Sequence, residues 1–331
     1  GTHALIQEGI QVPRMGLGII DEQHRFGVMQ RMALQRLAAC RGTDAGSLPQ
    51  PDILLMSATP IPRSLAMVLY GDLEVSSLNE MPPGRTPVET RLVRESQRAK
   101  LYDLVRAEIQ QGRQAYVVYP LVEASEKLPV RDATGMAEEL SQSAFKEFRV
   151  GLLHGRMSGG EKDEIMRRFK EGALQILVAT TVIEVGIDVP NATIMMVEHA
   201  ERFGLSQLHQ LRGRVGRGRH HAQCLLVYYG PNGSDALARL RVMEKEHDGF
   251  KIAEADLRLR GPGEMLGTRQ AGLADFRLAN LLRDASVLLD ARQEALAWLE
   301  TDPHLARPES RALKAVLKHR WGGRLELGSI G

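Results

Sequence analysis

Leu17-Gly18-Ile19-Ile20-Asp21-Glu22-Gln23-His24 is an unbroken apolar run that ends in an acidic cluster. Continuous rather than alternating apolarity marks a strand covered on both faces, as in a parallel α/β sheet. Runs of the same kind recur at Ile53 to Met56, Ala115 to Tyr119, Val150 to Leu153, Ile176 to Ala179, Ile194 to Val197 and Cys224 to Tyr228, with helical patterns between them. The pattern predicts two α/β layers in series.

Punctuation between the runs divides the chain. Asn79 to Pro87 carries three prolines and a glycine in NEMPPGRTP, which breaks helices and disfavours a central strand, so a linker is expected there. From Ser96, a suitable N-cap, a helical pattern with Leu101, Leu104, Val105 and Ile109 on one face runs to Gln111-Gly112. After Tyr229-Gly230-Pro231-Asn232-Gly233 the strand pattern stops, and a helix is expected from Ser234 through Leu237, Leu240 and Met243 to the turn at Asp248-Gly249. Glu123 to Gly135 is polar and patternless, the composition of a loop. The expected domains are residues 1–90, 91–230 and 231–331, the first two α/β and the third mainly helical.

A chain of 331 residues exceeds one ordinary core, and its 43% hydrophobic and 25% charged residues are those of a globular protein. A formal net charge of +2 does not announce a nucleic-acid binder, so any such role must rest on local clusters. Cys40 and Cys224 form no C-x-x-C spacing, which argues against a disulfide framework or a zinc site and for a reducing cytoplasm. No apolar run approaches the ~20 residues of a membrane span, so no membrane partner is expected. The start, Gly1-Thr2-His3-Ala4-Leu5, lacks a methionine and reads as an internal cut.

An acidic pair at a strand end suits a metal-nucleotide site. Asp21 can hold magnesium directly or through water, and Glu22 can take a proton from an attacking water. The competing reading is an acidic pair at a helix start. Ser57-Ala58-Thr59-Pro60 offers two hydroxyls at the exit of a second strand, where a simple helix cap is the alternative. Thr180 to Asp188 follows the strand at Ile176 to Ala179 and supplies hydroxyls, a flexible Gly186 and a carboxylate, as a ligand loop or an ordinary turn.

Gln210-Leu211-Arg212-Gly213-Arg214-Val215-Gly216-Arg217 is more specific. A helix over Ser206 to Arg217 would place Gln207, Gln210, Arg214 and Arg217 on one face and Leu208, Leu211 and Val215 on a neighbouring packing stripe. Gly213 and Gly216 each cost about 1 kcal/mol in a helix interior, so they imply a bulky neighbour, with polyphosphate a fit, or a helix ending there. A solvated basic face would leave both glycines unexplained. Guanidinium groups suit the charge that develops on a transferring phosphoryl group. His220 and His221 cannot face one way on a helix or strand, which disfavours a shared metal. Nowhere in the 331 residues is there a G-x-x-x-x-G-K-[ST] phosphate cradle.

Together these motifs resemble the superfamily 2 helicases, in which two RecA-like domains clamp ATP and walk on nucleic acid. The resemblance is narrower than that. Asp21 to Val28, Ser57 to Arg63, and Tyr70 to Val75 leading to Pro82-Pro83-Gly84-Arg85 are similar to the RecG branch-migrating helicases, as are Thr180 to Pro190, Gln207 to Gly218 and Asp248 to Gln270. Asp256 to Gln270, LRLRGPGEMLGTRQ within it, resembles the translocation element shared by those helicases and the transcription-repair coupling factor. There a helical hairpin couples domain closure to a loop on duplex DNA.

The resemblance implies ATP and magnesium as cofactors, with Asp21 as metal ligand, Glu22 activating water, and His24, Ser57 and Thr59 coupling hydrolysis to DNA contact. It implies that Gly186 and Asp188 approach the nucleotide and that Gln210, Arg214 and Arg217 contact its phosphates. Thr2, His3 and Thr180 match DNA-contacting elements, and Arg239, Arg260 and Gln270 match the coupling positions of the hairpin. The implied protein is a monomeric, cytoplasmic translocase that remodels stalled forks and Holliday-type junctions, with a single-strand-binding protein as a further partner. Without the wedge domain and the phosphate cradle, this chain alone is expected to be inactive. The rival expectations are a module that binds branched DNA or a partner without hydrolysing ATP, and the transcription-repair coupling translocase.

Overall fold

A computed structural model describes Gly1, Leu5 and residues 16–22, 52–58, 74–78, 80, 85–120, 135, 138–180, 188–231, 233–260 and 283–321. The chain divides into two compact units: Gly1–Val75 with Gly272–Gly331, and Ser76–Ala271.

In the first unit β1 (Leu17–Ile20) and β2 (Asp52–Leu55) pair in parallel, with Ile20 opposite Leu55. The expectation that both faces of these strands are covered does not hold for β1. Gly18 and Ile20 are buried, whereas Leu17 and Ile19 are 55% and 58% exposed.

The second unit holds a six-stranded, wholly parallel sheet. Its strands are β3 (Glu89–Arg94), β4 (Gln114–Val118), β5 (Val150–Leu153), β6 (Ile176–Ala179), β7 (Ala192–Val197) and β8 (Gln223–Tyr228), in the order β3-β8-β7-β4-β6-β5. β4, β6 and β7 are buried at every position, as continuous apolar runs demand when helices cover both faces. Alternate residues serve two cores. Ala115, Val117, Val178, Met196 and Leu225 pack with Leu101, Val105 and Ile109 of α1 (Arg98–Gln110). Tyr116, Val118, Leu177, Met195 and Leu226 pack with Phe169 of α2 (Gly159–Lys170), and with Leu208 and Leu211 of α3 (Leu205–Arg212).

Two local expectations are corrected. β3 escaped the apolar-run criterion because Glu89, Arg91 and Arg94 dominate it; it is an edge strand, paired on one side with β8. Ser96 does not cap α1. It lies in a 3-10 turn, Glu95–Gln97, and the N-cap is Gln97, with no side-chain cap bond. Gly112 ends the helix as expected, at φ +82°.

Phe169 is fully buried, its ring centroid 4.9 Å from that of Tyr116. Truncating it leaves a cavity against the sheet, so Phe169→Ala is expected to destabilise by about 3–5 kcal/mol. Urea unfolding should report this as a lower midpoint with an unchanged slope.

Beyond the sheet, Ser234 caps α4 (Asp235–Lys245) by accepting from the Leu237 N–H at 3.2 Å. Leu237, Leu240 and Met243 are its buried stripe. Asp248 starts α5 (Gly249–Arg260), its Oδ1 accepting the Phe250 N–H at 2.8 Å. In the first unit α6 (Ala285–Thr301) and α7 (Arg311–Trp321) meet at Asp302. Its carboxylate accepts from Ser310 Oγ and from the Ala306 and Arg307 N–H groups, and the Ser310 bond foremost holds its pKa below the usual range. No helix among the described residues is long and apolar enough to cross a membrane.

Candidate functional site

Parallel pairing brings the first cluster together. Met56 N–H donates to Ile20 O at 2.7 Å and continues the β1–β2 ladder, so Asp21-Glu22 and Ser57 leave from the carboxyl ends of adjacent strands. Ligands bind at such ends of parallel sheets. Asp21 is exposed, and its Oδ1 accepts the Glu22 N–H at 2.8 Å. Glu22 is half-buried and has φ +53°, a left-handed conformation that a non-glycine residue adopts at a cost of about 1–2 kcal/mol. Such strain collects at functional sites. Asp21 presents the exposed carboxylate oxygens that magnesium takes, so this end of β1 fits a metal-nucleotide group.

In the second unit the arginine segment is organised differently from the expected continuous helix. α3 stops at Arg212, Gly213 caps it, and Gly216 has φ +70°. A Cβ on Gly216 would lie 2.8 Å from Val88 Cγ2, and one on Gly218 would lie 2.4 Å from Pro190 O. Of the two glycines singled out in the sequence, Gly213 therefore marks the end of α3 and Gly216 answers to close packing against Val88. The turn still groups the charges. Arg217 Nε donates to Gly213 O at 3.1 Å, and its Nη1 lies 3.4 Å from Asp188 Oδ1. Arg85 Nη2 donates to the same Gly213 carbonyl at 3.2 Å. Burial raises the pKa of Tyr116 well above the ordinary phenol, against the pull of Arg214 and Arg217 and with a push from Asp188, so all three charges act on one hydroxyl. Guanidinium groups grouped in this way suit the oxygens of a phosphate.

Gln210 is half-buried on α3. Gln207, on the first turn, accepts the Gly204 N–H at 3.1 Å and so caps the helix. Thr180, at the end of β6, is fully buried. Arg239 of α4 reaches Glu201 O at 3.5 Å. Arg260 is the last residue of α5. Thr2, His3, His24, Thr59, Gly186 and Gln270 lie outside the described residues.

Two features escaped the sequence. Arg212, within the arginine-rich segment Gln210 to Arg217, is 5% exposed and points inward. Its Nη1 donates to Met243 O at 3.1 Å and Glu246 O at 2.8 Å, and its Nη2 to His247 O at 3.2 Å. Burial lowers its pKa, but an arginine stays charged in proteins. Glu198, at the end of β7, is fully buried. It pairs with Arg98 at 3.0 Å and accepts the Tyr229 hydroxyl at 2.6 Å, while Arg98 also donates to Tyr119. Burial, then the Glu198 contact, raises Tyr229. The available signal was a glutamate directly after a six-residue apolar strand.

Comparison with known proteins follows this geometry. The helicase conserved C-terminal domain family matches residues 96–219, and the family of ATP-dependent DNA helicase RecG, domain 3, C-terminal, matches residues 246–330. ATP-dependent DNA helicase RecG of Synechocystis sp. is 52% identical over 319 residues, covering 96% of this chain and 37% of the relative. That of Acidithiobacillus ferridurans is 49% identical over 331 residues, covering 100% and 46%. The chain thus spans less than half the length of these relatives. Among solved structures, RecG bound to a three-way DNA junction matches with TM-score 0.64 at 49% identity, over 87% of this chain and 35% of that one. The helicase Lhr of Mycobacterium smegmatis, at TM-score 0.50 and 19% identity over 69% of this chain and 30% of that one, shares the fold. The six-stranded parallel sheet is that of a RecA-like helicase domain.

Proposed function

We propose, for a chain homologous to the RecG helicases along nearly its whole length, that it is the catalytic and coupling portion of an ATP-dependent DNA helicase that translocates on duplex DNA and remodels forks and Holliday-type junctions. One observation carries this reading. Arg217 pairs with Asp188 at 3.4 Å in the turn that ends α3, with Arg214 in the same turn, and α4 and α5 follow after β8 in the chain. In this reading residues 1–90 and 91–230 are parts of the two motor domains, and 231–331 holds the hairpin and the C-terminal helices. The protein works in the cytoplasm as a monomer, with a single-strand-binding protein as a further partner.

ATP and magnesium are the cofactors. Asp21 would hold the magnesium ion, which would supply positive charge to the phosphates. Glu22 accepts the proton of the water whose oxygen attacks the γ-phosphorus as the bond to ADP breaks. Arg214 and Arg217, with Gln210, bind the phosphate oxygens and stabilise the charge that develops there. Gly186 and Asp188 meet the nucleotide, with the Asp188 carboxylate accepting from ribose. Ser57, Thr59 and His24 relay the state of the site. Thr2 and His3 meet DNA at its phosphate backbone, so binding is independent of sequence and weakens with salt, whereas the buried Thr180 is withdrawn from that role.

The hairpin separates this function from plain DNA-dependent ATP hydrolysis. Arg239, Arg260 and Gln270 are its coupling residues. In the full-length protein Gln270→Ala is expected to leave ATP turnover within about twofold while fork unwinding falls about tenfold or more, the scale of a typical coupling energy. Parallel loss of both activities together with DNA binding would make the loop a structural element and remove the coupling role.

A further inference from the structure

Arg212 is the terminal residue of α3, two positions before Arg214 and five before Arg217. Its guanidinium is spent on partners that Arg217 does not share, the carbonyls of Met243, Glu246 and His247. Met243, Glu246 and His247 lie at the carboxyl end of α4, where Glu246 already has an extended backbone, φ −107° and ψ 128°. Carbonyls in the last turn of a helix lack intrahelical partners and lie at the negative end of the helix dipole. A planar fork of donors meets the Met243 carbonyl there together with those of Glu246 and His247 just past the helix, a spread that suits two separated Nη atoms better than one compact ammonium. The same Nη1 lies 3.5 Å from Thr90 Oγ1 on β3, so the contact is seated against the sheet edge.

A second tie lies at the other flank of α3. Arg239, from the middle of α4, reaches the carbonyl of Glu201 in the 3-10 turn Ala200–Arg202 that precedes α3. α4 is therefore bound to the α3 segment both before that helix begins and where it ends. His209, one turn before Arg212, is largely buried, and burial foremost lowers its pKa to about 4. It is neutral at ordinary pH and places no second charge beside Arg212.

We propose that Arg212 is a positioning residue that locks α3 to the α4–α5 turn, so that a displacement of the Arg214–Arg217 segment is delivered to the hairpin as a rigid movement. This rests on the helicase reading of the same segment. The alternative is that Arg212 merely caps α4 and stabilises the fold. The two differ in what they leave intact, because loss of a cap weakens every activity with the fold, whereas loss of a lock separates hydrolysis from movement.

The experiment uses the full-length protein with Arg212→Met and Arg212→Lys. ATP turnover on fork DNA, fork unwinding, thermal midpoint, and hydrogen exchange over residues 243–252 with and without a non-hydrolysable ATP analogue are measured together. Expected for both variants is turnover within about twofold of wild type, unwinding reduced about tenfold, and loss of the analogue-induced exchange change that wild type displays. Arg212→Lys keeps the charge and isolates the three-carbonyl fork. Turnover and unwinding falling in proportion, or an exchange response that survives in the variants, overturns the lock. A wild type that hydrolyses ATP but unwinds no fork sinks the helicase reading instead, and the exchange measurement still decides the lock.

Discussion

Replacing Arg217 by alanine in the full-length helicase is expected to lower ATP turnover by about 10³-fold or more, the scale on which a transition-state arginine acts in phosphoryl transfer. The side chain is 30% exposed, and among the described residues it contacts the Gly213 carbonyl and the Asp188 carboxylate. Neither contact consumes the guanidinium. Nε is tied to the turn while one Nη reaches a carboxylate, so the group is held in place with donors left for phosphate. Partial exposure makes the stability effect small, within about 0.5 kcal/mol, as for ordinary surface substitutions. A large rate loss with an unchanged thermal midpoint is therefore the signature. Arg217→Lys should recover little, since a point charge cannot reproduce the fork geometry. Turnover within tenfold of wild type for the alanine variant would remove Arg217 from the phosphate site and leave it as a brace for the Gly213 turn.

The seven apolar runs all became strands, and for β4, β6 and β7 the reason is that a strand buried on both faces has no need to alternate; β1 carries the same local signal with one face exposed. β3 stayed hidden for the same reason in reverse. As an edge strand rich in Glu89, Arg91 and Arg94, it carries neither a continuous run nor a clean alternation. The end of α3 was ambiguous because glycine serves equally for close approach and for termination. Gly213, the C-cap of α3, serves termination, whereas Gly216 serves close approach to Val88, which comes from a segment 128 residues away. In the candidate site, the placement of Asp21 and Glu22 at a strand end was legible because strand and acidic pair are contiguous. The inward turn of Arg212 was not. Its partners are backbone carbonyls 31 to 35 residues downstream, and every residue has a carbonyl, so no side-chain pattern reveals them.

Glu22 offers the sharpest separation of binding from chemistry. Glu22→Gln keeps the size and shape of the side chain but removes its capacity to take a proton. Nucleotide affinity in the full-length protein should stay within about twofold, while hydrolysis falls about 10²- to 10⁴-fold, the range for a general base. Titration with a fluorescent nucleotide and steady-state phosphate release measure the two quantities. Unchanged turnover would dismiss Glu22 as the base. The backbone gives a second, independent handle, because φ at Glu22 is +53° and the Asp21 carboxylate holds its N–H. Glutamine must keep that unfavourable conformation; glycine adopts it freely. Glu22→Gly should therefore stabilise the fold by about 1 kcal/mol while losing hydrolysis to the same extent as Glu22→Gln. A residue whose replacement improves stability and removes turnover is held in its strained conformation by what its carboxylate does. If the glycine variant were instead less stable, the conformation would be supported by side-chain packing, and the strain at β1 would carry no functional meaning.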